Sequence, residues 1–355
     1  MKITKNSELI KYIQQVIDTN NININVADML MTAFNYVDIF NPEEIKQYVK
    51  EGLSENEAVL ETLYDFYQLD KNNDENVSIM NEYFLNNFKA LKNDEYLSNP
   101  YVETIKEAGR YRKYALKMLK YEPYQLFAYD EIKVTKDYKE YSAIGYFKKP
   151  FSYLALTEGN DVWMSLNPNE IETMKQYIAS AKGNVLVLGL GMGYVPFMMS
   201  LKDEVKKITI VEKDPDIISL FNNLIYPHFT NKNKIEIIKD DAVNYVKSHQ
   251  KYDYIFADLW HDPEDGLNLF IKLKRINRNI PCWLETSLIA LLRRCMVTLL
   301  EETLQGSNEG DYMHARTTTD KVINRFYLKT KNILLETKED VFNLLRDETL
   351  LSLVI

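Results

Sequence analysis

Apolar residues recur three and four positions apart through the first third of the chain, the spacing that aligns side chains on one helix face. Two runs show it clearly: Leu9, Ile13, Val16 and Ile17, then Ala58, Leu60, Leu63, Tyr64 and Tyr67. Asn41 precedes Pro42 and two glutamates, a combination typical of a helix start. The pattern predicts an N-terminal helical domain over residues 1–125, composed of several short helices.

The pattern changes to strand-like segments after residue 126. Runs rich in β-branched and aromatic residues between turn-forming residues predict strands over residues 129–134, 143–147, 153–157 and 161–166. Gly159, between Glu158 and Asn160, predicts a turn joining the last two. We therefore expect a small β-hairpin segment over residues 126–166.

Strand and helix patterns then alternate, which is typical of a parallel sheet covered by helices. Asn167 predicts the cap of a helix that reaches about residue 181, and an apolar run over residues 185–188 predicts a buried strand. The next apolar runs, 207–211, 235–238 and 252–257, predict three more strands, which end at Glu212, at Asp240-Asp241-Ala242 and at Asp258. Because parallel strands end at one edge of the sheet, these acids are expected to lie where such sheets hold ligands.

Three glycines follow the first of these strands, at positions 189, 191 and 193, before a predicted helix over residues 194–201. Glycine permits a tight turn and a close approach of a ligand to the main chain. An acidic residue roughly 20 positions later suits a ribose diol, in NAD or in S-adenosylmethionine (SAM). The dinucleotide pattern G-x-G-x-x-G would need a glycine where Tyr194 stands, so the G-x-G-x-G pattern of Gly189, Gly191 and Gly193 favours SAM. A tight turn without a ligand is the alternative.

These motifs resemble the class I SAM-dependent methyltransferases, and within them the spermidine synthase-like branch. The resemblance covers roughly residues 140–270, through E-K-D-P at 212–215, D-D-A at 240–242 and Y-D-Y-I-F-A-D at 252–258. It implies an α/β fold of the Rossmann-like class I type, with a central, mostly parallel sheet and helices on both faces, over residues 167–305. It also implies that Glu212 holds the ribose hydroxyls and Asp241 the adenine amino group, while Asp258 faces the transferred group. The cofactor-binding set is then Gly189, Gly191, Gly193, Glu212, Asp241, Ala242 and Asp258, with SAM as the cofactor.

The loop after the fourth strand supplies candidates for the chemistry. Asp258 could orient an amine or accept its proton, and His261 could act as a base, although a loop histidine is more often a surface residue. Trp260 could stack on a cationic acceptor or pack against the following helix. Asp262 could attract an amine or cap that helix, the safer interpretation. Glu170 could face the site from its helix or be an ordinary first-turn acid.

Two reactions compete within the enzyme interpretation. Spermidine synthases transfer an aminopropyl group from decarboxylated SAM and carry an Asp in the glycine loop, where this chain has Met192. Their Y-H-E run is also missing. We therefore favour a methyltransferase acting on a small acceptor, for which an amine is one candidate, with aminopropyl transfer as the alternative. A non-catalytic nucleoside-binding regulatory module is a second alternative.

Composition limits the partners. The net charge of −9 over 355 residues argues against a nucleic-acid substrate, and no apolar run approaches the ~18 residues that span a bilayer. Two cysteines without metal-ligand spacing and no signal-peptide core favour a reduced, cytoplasmic setting. We expect a small-molecule acceptor, no nucleic acid and no membrane partner, and we keep a homodimer as a hypothesis.

Two remaining segments complete the predictions. Residues 70–78 place Asp and Asn at alternate positions as in an EF-hand, but Glu75 replaces the turn glycine and Asn81 the final glutamate, so we predict a polar loop and no metal site. After a long helix over residues 283–304 and a loop or lid over 304–310, residues 337–351 predict a terminal helix. Residues 306–355 are therefore expected to be a helical or lid extension.

Overall fold

The computed structural model describes residues 1–36, 39–106, 108–249, 251–306 and 316–355. They form two compact units, each made of segments that are distant in sequence. The first unit contains residues 1–25, 134–140 and 259–355, and the second contains residues 26–133 and 141–258. The predicted nucleoside-binding strands and the glycine loop all belong to the second unit.

The helices are α1 (Ser7–Asn35), α2 (Pro42–Lys50), α3 (Glu55–Tyr67), α4 (Asp74–Ile79), α5 (Asn93–Leu97), α6 (Pro100–Thr104), α7 (Pro168–Ser180), α8 (Tyr194–Ser200), α9 (Pro215–Leu220), α10 (Ala242–Ser248), α11 (Pro263–Ile276), α12 (Glu285–Gln305), α13 (Thr318–Thr330), α14 (Lys338–Leu344) and α15 (Asp347–Val354). The strands are β1 (Lys2–Ile3), β2 (Phe88–Leu91), β3 (Gly109–Tyr111), β4 (Tyr114–Tyr121), β5 (Phe127–Ala128), β6 (Lys133–Val134), β7 (Glu140–Tyr141), β8 (Ile144–Phe147), β9 (Phe151–Glu158), β10 (Asp161–Ser165), β11 (Gly183–Leu188), β12 (Val205–Glu212), β13 (Ile235–Lys239), β14 (Tyr254–Ala257) and β15 (Leu334–Leu335). Short π-helical segments continue α4 and α9 over Met80–Phe84 and Phe221–Ile225.

A four-stranded parallel sheet in the order β13-β12-β11-β14 forms the centre of the second unit. Its central strand β11 is buried from Val185 to Leu188, which explains the unbroken apolar run in the sequence. Strands β12 and β13 lie on one side of β11, and β14 lies on the other. The position between β11 and β14 is therefore the topological switch point, where such sheets bind ligands beyond the carboxyl ends of their strands. The predicted fold class, a Rossmann-like class I sheet, is confirmed.

The N-terminal region is less helical than the spacing predicts. Helices α1 to α6 are present, but strands β2, β3 and β4 also lie within the predicted helical domain of residues 1–125. Strand β4 pairs antiparallel with β9 along its whole length, from Tyr114 opposite Glu158 to Tyr121 opposite Phe151. Short apolar, aromatic segments fit either a helix or a strand, and here a partner some 40 positions away decides the outcome.

The predicted hairpin is present as β9 and β10, joined at Gly159, in a four-stranded sheet of order β10-β9-β4-β3. Its register shifts between Val162 and Met164, so Trp163 is the extra residue of a bulge. The prediction over residues 143–147 is confirmed by β8. The strand predicted over residues 129–134 is wrong in extent, because only Phe127–Ala128 and Lys133–Val134 pair as strands.

Side-chain caps begin the helices where the sequence predicts them. The Asn41 side chain accepts a hydrogen bond from the Glu43 amide, with Pro42 in the first turn. Asn167 does the same for the Glu170 amide at 3.1 Å. The polar residues of the EF-hand-like segment also include a helix cap. Asn73 accepts hydrogen bonds from two amides at the start of α4, which residues 74–79 form. Among the described residues, no helix is long and apolar enough to cross a bilayer.

In the first unit, α12 confirms the long helix predicted over residues 283–304. It is held by Arg294, which pairs with the buried Glu140, and by the buried Arg293, which pairs with Asp347. The single terminal helix predicted over residues 337–351 is wrong, because an extended Arg346 separates α14 from α15. Gly306 ends α12, and the rest of the predicted loop or lid, 307–310, lies outside the described residues.

Two glycines with similar left-handed backbones allow a test of the packing behind the glycine loop. Gly193 has φ +78°, and a Cβ there would lie 2.3 Å from the buried ring of Phe221; Gly159 has φ +63° and open space around it. We expect Gly159→Ala to lower the free energy of unfolding by ~1 kcal/mol through backbone strain alone. Gly193→Ala should lower it by at least ~3 kcal/mol, because the ring must also move. Urea denaturation measures both, and equal losses would contradict this packing.

Candidate functional site

The glycine loop joins the end of β11 to the start of α8. Gly189, Gly191 and Gly193 all have positive φ, at 100°, 54° and 78°, a region that side chains with a Cβ rarely adopt. The Gly189 amide donates to the Val211 carbonyl oxygen at 3.0 Å, and the Gly193 amide donates to the Leu190 carbonyl oxygen at 2.9 Å. The loop is therefore a fixed turn at the sheet's carboxyl edge.

The Glu212 carboxylate is held between two main-chain amides. One oxygen accepts a hydrogen bond from the Leu190 amide in the glycine loop at 3.2 Å. The other accepts one from the Asp214 amide at 2.8 Å. A carboxylate offers about four lone-pair sites, so this arrangement orients the group and leaves acceptor capacity for another ligand.

Asp258 interacts electrostatically with Glu212, and Glu170 interacts electrostatically with Asp258. The Asp258 amide donates to the Leu188 carbonyl oxygen at 2.9 Å, which fixes Asp258 beside the glycine loop. Burial, and then the charge of Glu212, raise the pKa of Asp258 to about 7. Burial, and then the charge of Asp258, raise the pKa of Glu170 well above its usual range. In the described part of the chain, no ion pair joins any of the three carboxyl groups to a basic side chain.

Asp241 and Ala242 lie at the end of β13. Asp241 is exposed and caps α10, accepting a hydrogen bond from the Asn244 amide at 2.8 Å. Ala242 is buried in the first turn of that helix. The Asp241 carboxylate is therefore oriented by its cap and open to solvent.

Trp260, His261 and Asp262 belong to the first unit, in contrast to Asp258. Trp260 is only 5% exposed, its indole N–H donates to the Trp283 carbonyl oxygen at 3.2 Å, and its ring packs directly on Gly266 of α11. The prediction that Trp260 stacks on an acceptor is not supported, because a ring enclosed in this way presents no face to a ligand. Packing against the following helix, the other interpretation, describes it.

The next two residues of this loop are exposed. His261 donates its amide to the Asp265 carboxylate at 3.1 Å. Asp262 caps α11, and Asp265 bonds back to the Asp262 amide, so the two form a capping box. The capping interpretation of Asp262 is confirmed; a role of His261 as a base stays a prediction.

Several residues around the glycine loop were missed by the sequence reasoning. The Tyr101 hydroxyl donates to the Met192 carbonyl oxygen, and the Asn99 side chain donates to the Tyr194 hydroxyl at 3.1 Å. Met164 lies against Gly191, with its sulfur 3.1 Å from the position that a Cβ would take. Tyr114 reaches Asp214, just beyond Glu212. Apart from the many tyrosines, no sequence signal marks these contacts, since most of the partners are 90 or more positions apart.

Comparison with known proteins assigns the central part of the chain to a family. Residues 170–277 match the model of the spermine/spermidine synthase domain. No curated protein matches the sequence. Two solved structures are similar to it: spermidine synthase from Thermotoga maritima, at 14% identity over 41% of this chain and 55% of that one, with a TM-score of 0.29; and MNMC2 from Aquifex aeolicus, at 13% identity over 89% and 96%, with a TM-score of 0.27.

The match to the spermidine synthase thus spans little more than half of that protein's length. The family model covers the glycine loop and the carboxyl ends of all four parallel strands, as well as Glu170 at its first position. Residues 170–277 are therefore similar to the spermine/spermidine synthase domain, over less than a third of the chain.

Proposed function

We propose that this protein is a SAM-dependent methyltransferase that acts on a small, amine-bearing acceptor. The observation that carries the proposal is the carboxylate of Glu212, held by the Leu190 and Asp214 amides at the switch point of the sheet. Two of its lone-pair sites are free for the two hydroxyls of a ribose. The polar groups at this edge of the sheet are carboxylates, which accept hydrogen bonds and repel phosphates, and main-chain groups. This combination suits a nucleoside without phosphates better than a dinucleotide.

The cofactor would be held by side chains from successive strand ends. Glu212 would bind the ribose, Asp241 the adenine amino group, and Ala242 would pack beside the base. Gly189, Gly191 and Gly193 would let the cofactor approach the main chain closely. When bound, SAM supplies a methyl group activated by the positive charge on sulfur.

Asp258 and Glu170 would handle the acceptor. An ammonium group has no free electron pair, so it must lose a proton before its nitrogen can attack a carbon. Asp258, with its pKa raised to about 7, is ionised in part of the molecules at neutral pH and can take that proton. Glu170 adds a second acid, influenced by the charge of Asp258, that would attract a cationic acceptor. Aligning nitrogen, carbon and sulfur supplies the rest of the rate gain.

Intact SAM is favoured over its decarboxylated form by the residue at position 192. Met192 is 5% exposed and brings no charge to the loop, whereas an acid there would attract a bare ammonium end and repel a carboxylate. Aminopropyl transfer is the second candidate, because residues 170–277 match the spermine/spermidine synthase domain and the acids at 170 and 258 suit a polyamine. A nucleoside-binding module without turnover is the third, and an amine panel that shows binding but no product would favour it.

A ligand panel tests the choice of cofactor. We expect SAM to raise the melting temperature clearly more than decarboxylated SAM, because the glycine loop lacks an acid that would bind the bare ammonium end. Methylthioadenosine should stabilise through its ribose and base, and NAD should have no effect. Stabilisation by decarboxylated SAM above that by SAM would select aminopropyl transfer, and stabilisation by NAD alone would overturn the proposal.

Removing the Glu212 carboxylate tests the ribose site. Glu212→Ala should weaken SAM binding by more than roughly tenfold in calorimetry, since charged hydrogen bonds to two hydroxyls are lost. Glu236→Ala is the matched control, because Glu236 lies on the neighbouring strand β13, is exposed and, among the described residues, forms an ion pair with Lys207 alone. An affinity for SAM that stays the same in both variants would remove Glu212 from the site.

Asp258→Asn tests the proton acceptor. The variant should bind SAM with nearly unchanged affinity but turn over at least roughly 100-fold more slowly. Wild-type turnover should increase as pH rises through about 7, because the raised pKa of Asp258 keeps the group protonated at lower pH. The variant's residual rate should lack this step. A wild-type profile that stays flat between pH 5.5 and 8.5 would argue against Asp258 as the base.

A further inference from the structure

The strand β4 delivers a tyrosine hydroxyl to the loop that follows Glu212. Tyr114 is 1% exposed, and its hydroxyl donates to the Asp214 carboxylate at 2.8 Å. Burial, and then the hydrogen bond to Asp214, raise the pKa of Tyr114 to about 12, so the hydroxyl remains a donor throughout the physiological range. This is a charge-assisted hydrogen bond between segments 100 positions apart.

Asp214 transmits this contact to the candidate cofactor site. Its other carboxylate oxygen caps α9 by accepting from the Asp216 amide at 2.8 Å, so the side chain is fixed on both sides. Its own amide donates to one oxygen of Glu212 at 2.8 Å, while the Leu190 amide donates to the other. A continuous series of hydrogen bonds thus runs from Tyr114 through Asp214 and Glu212 to the glycine loop.

The hairpin between β3 and β4 is anchored to the same helix at a second point. Arg112, at the hairpin tip, pairs with Asp216 in the first turn of α9 at 2.5 Å. Arg112 has φ +53°, which is unfavourable for a residue with a side chain, so the anchored tip carries backbone strain. The ion pair is thus a second contact, made from an exposed side chain, between this hairpin and α9.

We propose that Tyr114 and Asp214 are positioning residues for the cofactor site, which hold the Glu212 carboxylate in the orientation that receives the ribose hydroxyls. The inference rests on the function proposed above and adds to it one residue of strand β4 and one residue of the segment that follows β12. Neither residue needs to touch the cofactor, because both act through Glu212. Their removal should change affinity for any ligand that carries the adenosine ribose, whatever group is transferred.

Methylthioadenosine is the probe for the test, since it carries the ribose and base but neither the methyl-sulfonium centre nor the amino-acid end. Tyr114→Phe should weaken its binding by roughly threefold to tenfold in calorimetry, because one hydrogen bond to a charged acceptor is lost. Tyr111→Phe is the matched control: it lies on the adjacent strand β3, and its hydroxyl has no hydrogen-bond partner among the described residues. The control should bind as the wild type does.

A double-mutant cycle separates positioning from a general loss of packing. In a Glu212→Gln background, where the bidentate acceptor is already gone, Tyr114→Phe should have little further effect on affinity, because residues acting through one another are not additive. If Tyr114→Phe costs the same factor in both backgrounds, the positioning role is overturned. Asp214→Asn, which keeps an oxygen for the α9 cap but removes the charged acceptor of the Tyr114 hydroxyl, should weaken binding by about the same factor as Tyr114→Phe.

Hydrogen exchange of the ligand-free protein gives an independent readout. Tyr114→Phe should speed exchange in the peptides that contain the Leu190 and Asp214 amides, and leave the peptide of β13 unchanged. Unaltered exchange there would overturn the proposal even if binding became too weak to measure. If the wild-type protein does not bind methylthioadenosine, but Tyr114→Phe speeds exchange as expected, the proposed function is rejected and the positioning of Glu212 by Tyr114 still holds.

Discussion

The hydrogen bonds that the Glu212 carboxylate accepts from the Leu190 and Asp214 amides connect the parts of the candidate site. They join the end of β12 to the glycine loop after β11 and to the segment that starts α9. A carboxylate that accepts hydrogen bonds from two amides has one preferred orientation. It therefore does not need to reorient when a ligand binds. Glu212, which the sequence predicts to bind the ribose, thus also connects the glycine loop to the segment that starts α9.

The second constraint is electrostatic. Burial raises the pKa of both Asp258 and Glu170; the charge of Glu212 adds to the first effect and the charge of Asp258 to the second, and neither acid has a basic partner in the described part of the chain. Like charges in such a place are tolerated because one or both groups hold a proton, and a cationic ligand would relieve the repulsion. Both an ammonium acceptor and a sulfonium cofactor are cations, so this environment suits the proposed substrates and disfavours phosphates.

The four-stranded sheet β10-β9-β4-β3 contacts the candidate site at two points. Its strand β4 places Tyr114 against Asp214, and its strand β10 places Met164 against Gly191. The bulge at Trp163 sets the register that turns Met164 toward the loop. This sheet therefore contacts both the glycine loop and the segment that follows Glu212.

The sequence by itself determined the features that depend on neighbours along the chain: the glycine turn, the buried parallel strands with acids at their ends, and the caps at Asn41, Asn167 and Asp262. Such features follow from backbone geometry and short-range hydrogen bonds, which leave a local pattern. The tertiary structure alone decided that residues 114–121 pair as a strand, that Trp260 is enclosed against Gly266, and that Tyr114 supports Glu212. Burial and strand pairing depend on groups tens of positions away, and a local pattern compatible with two structures does not specify which one the rest of the chain will stabilise.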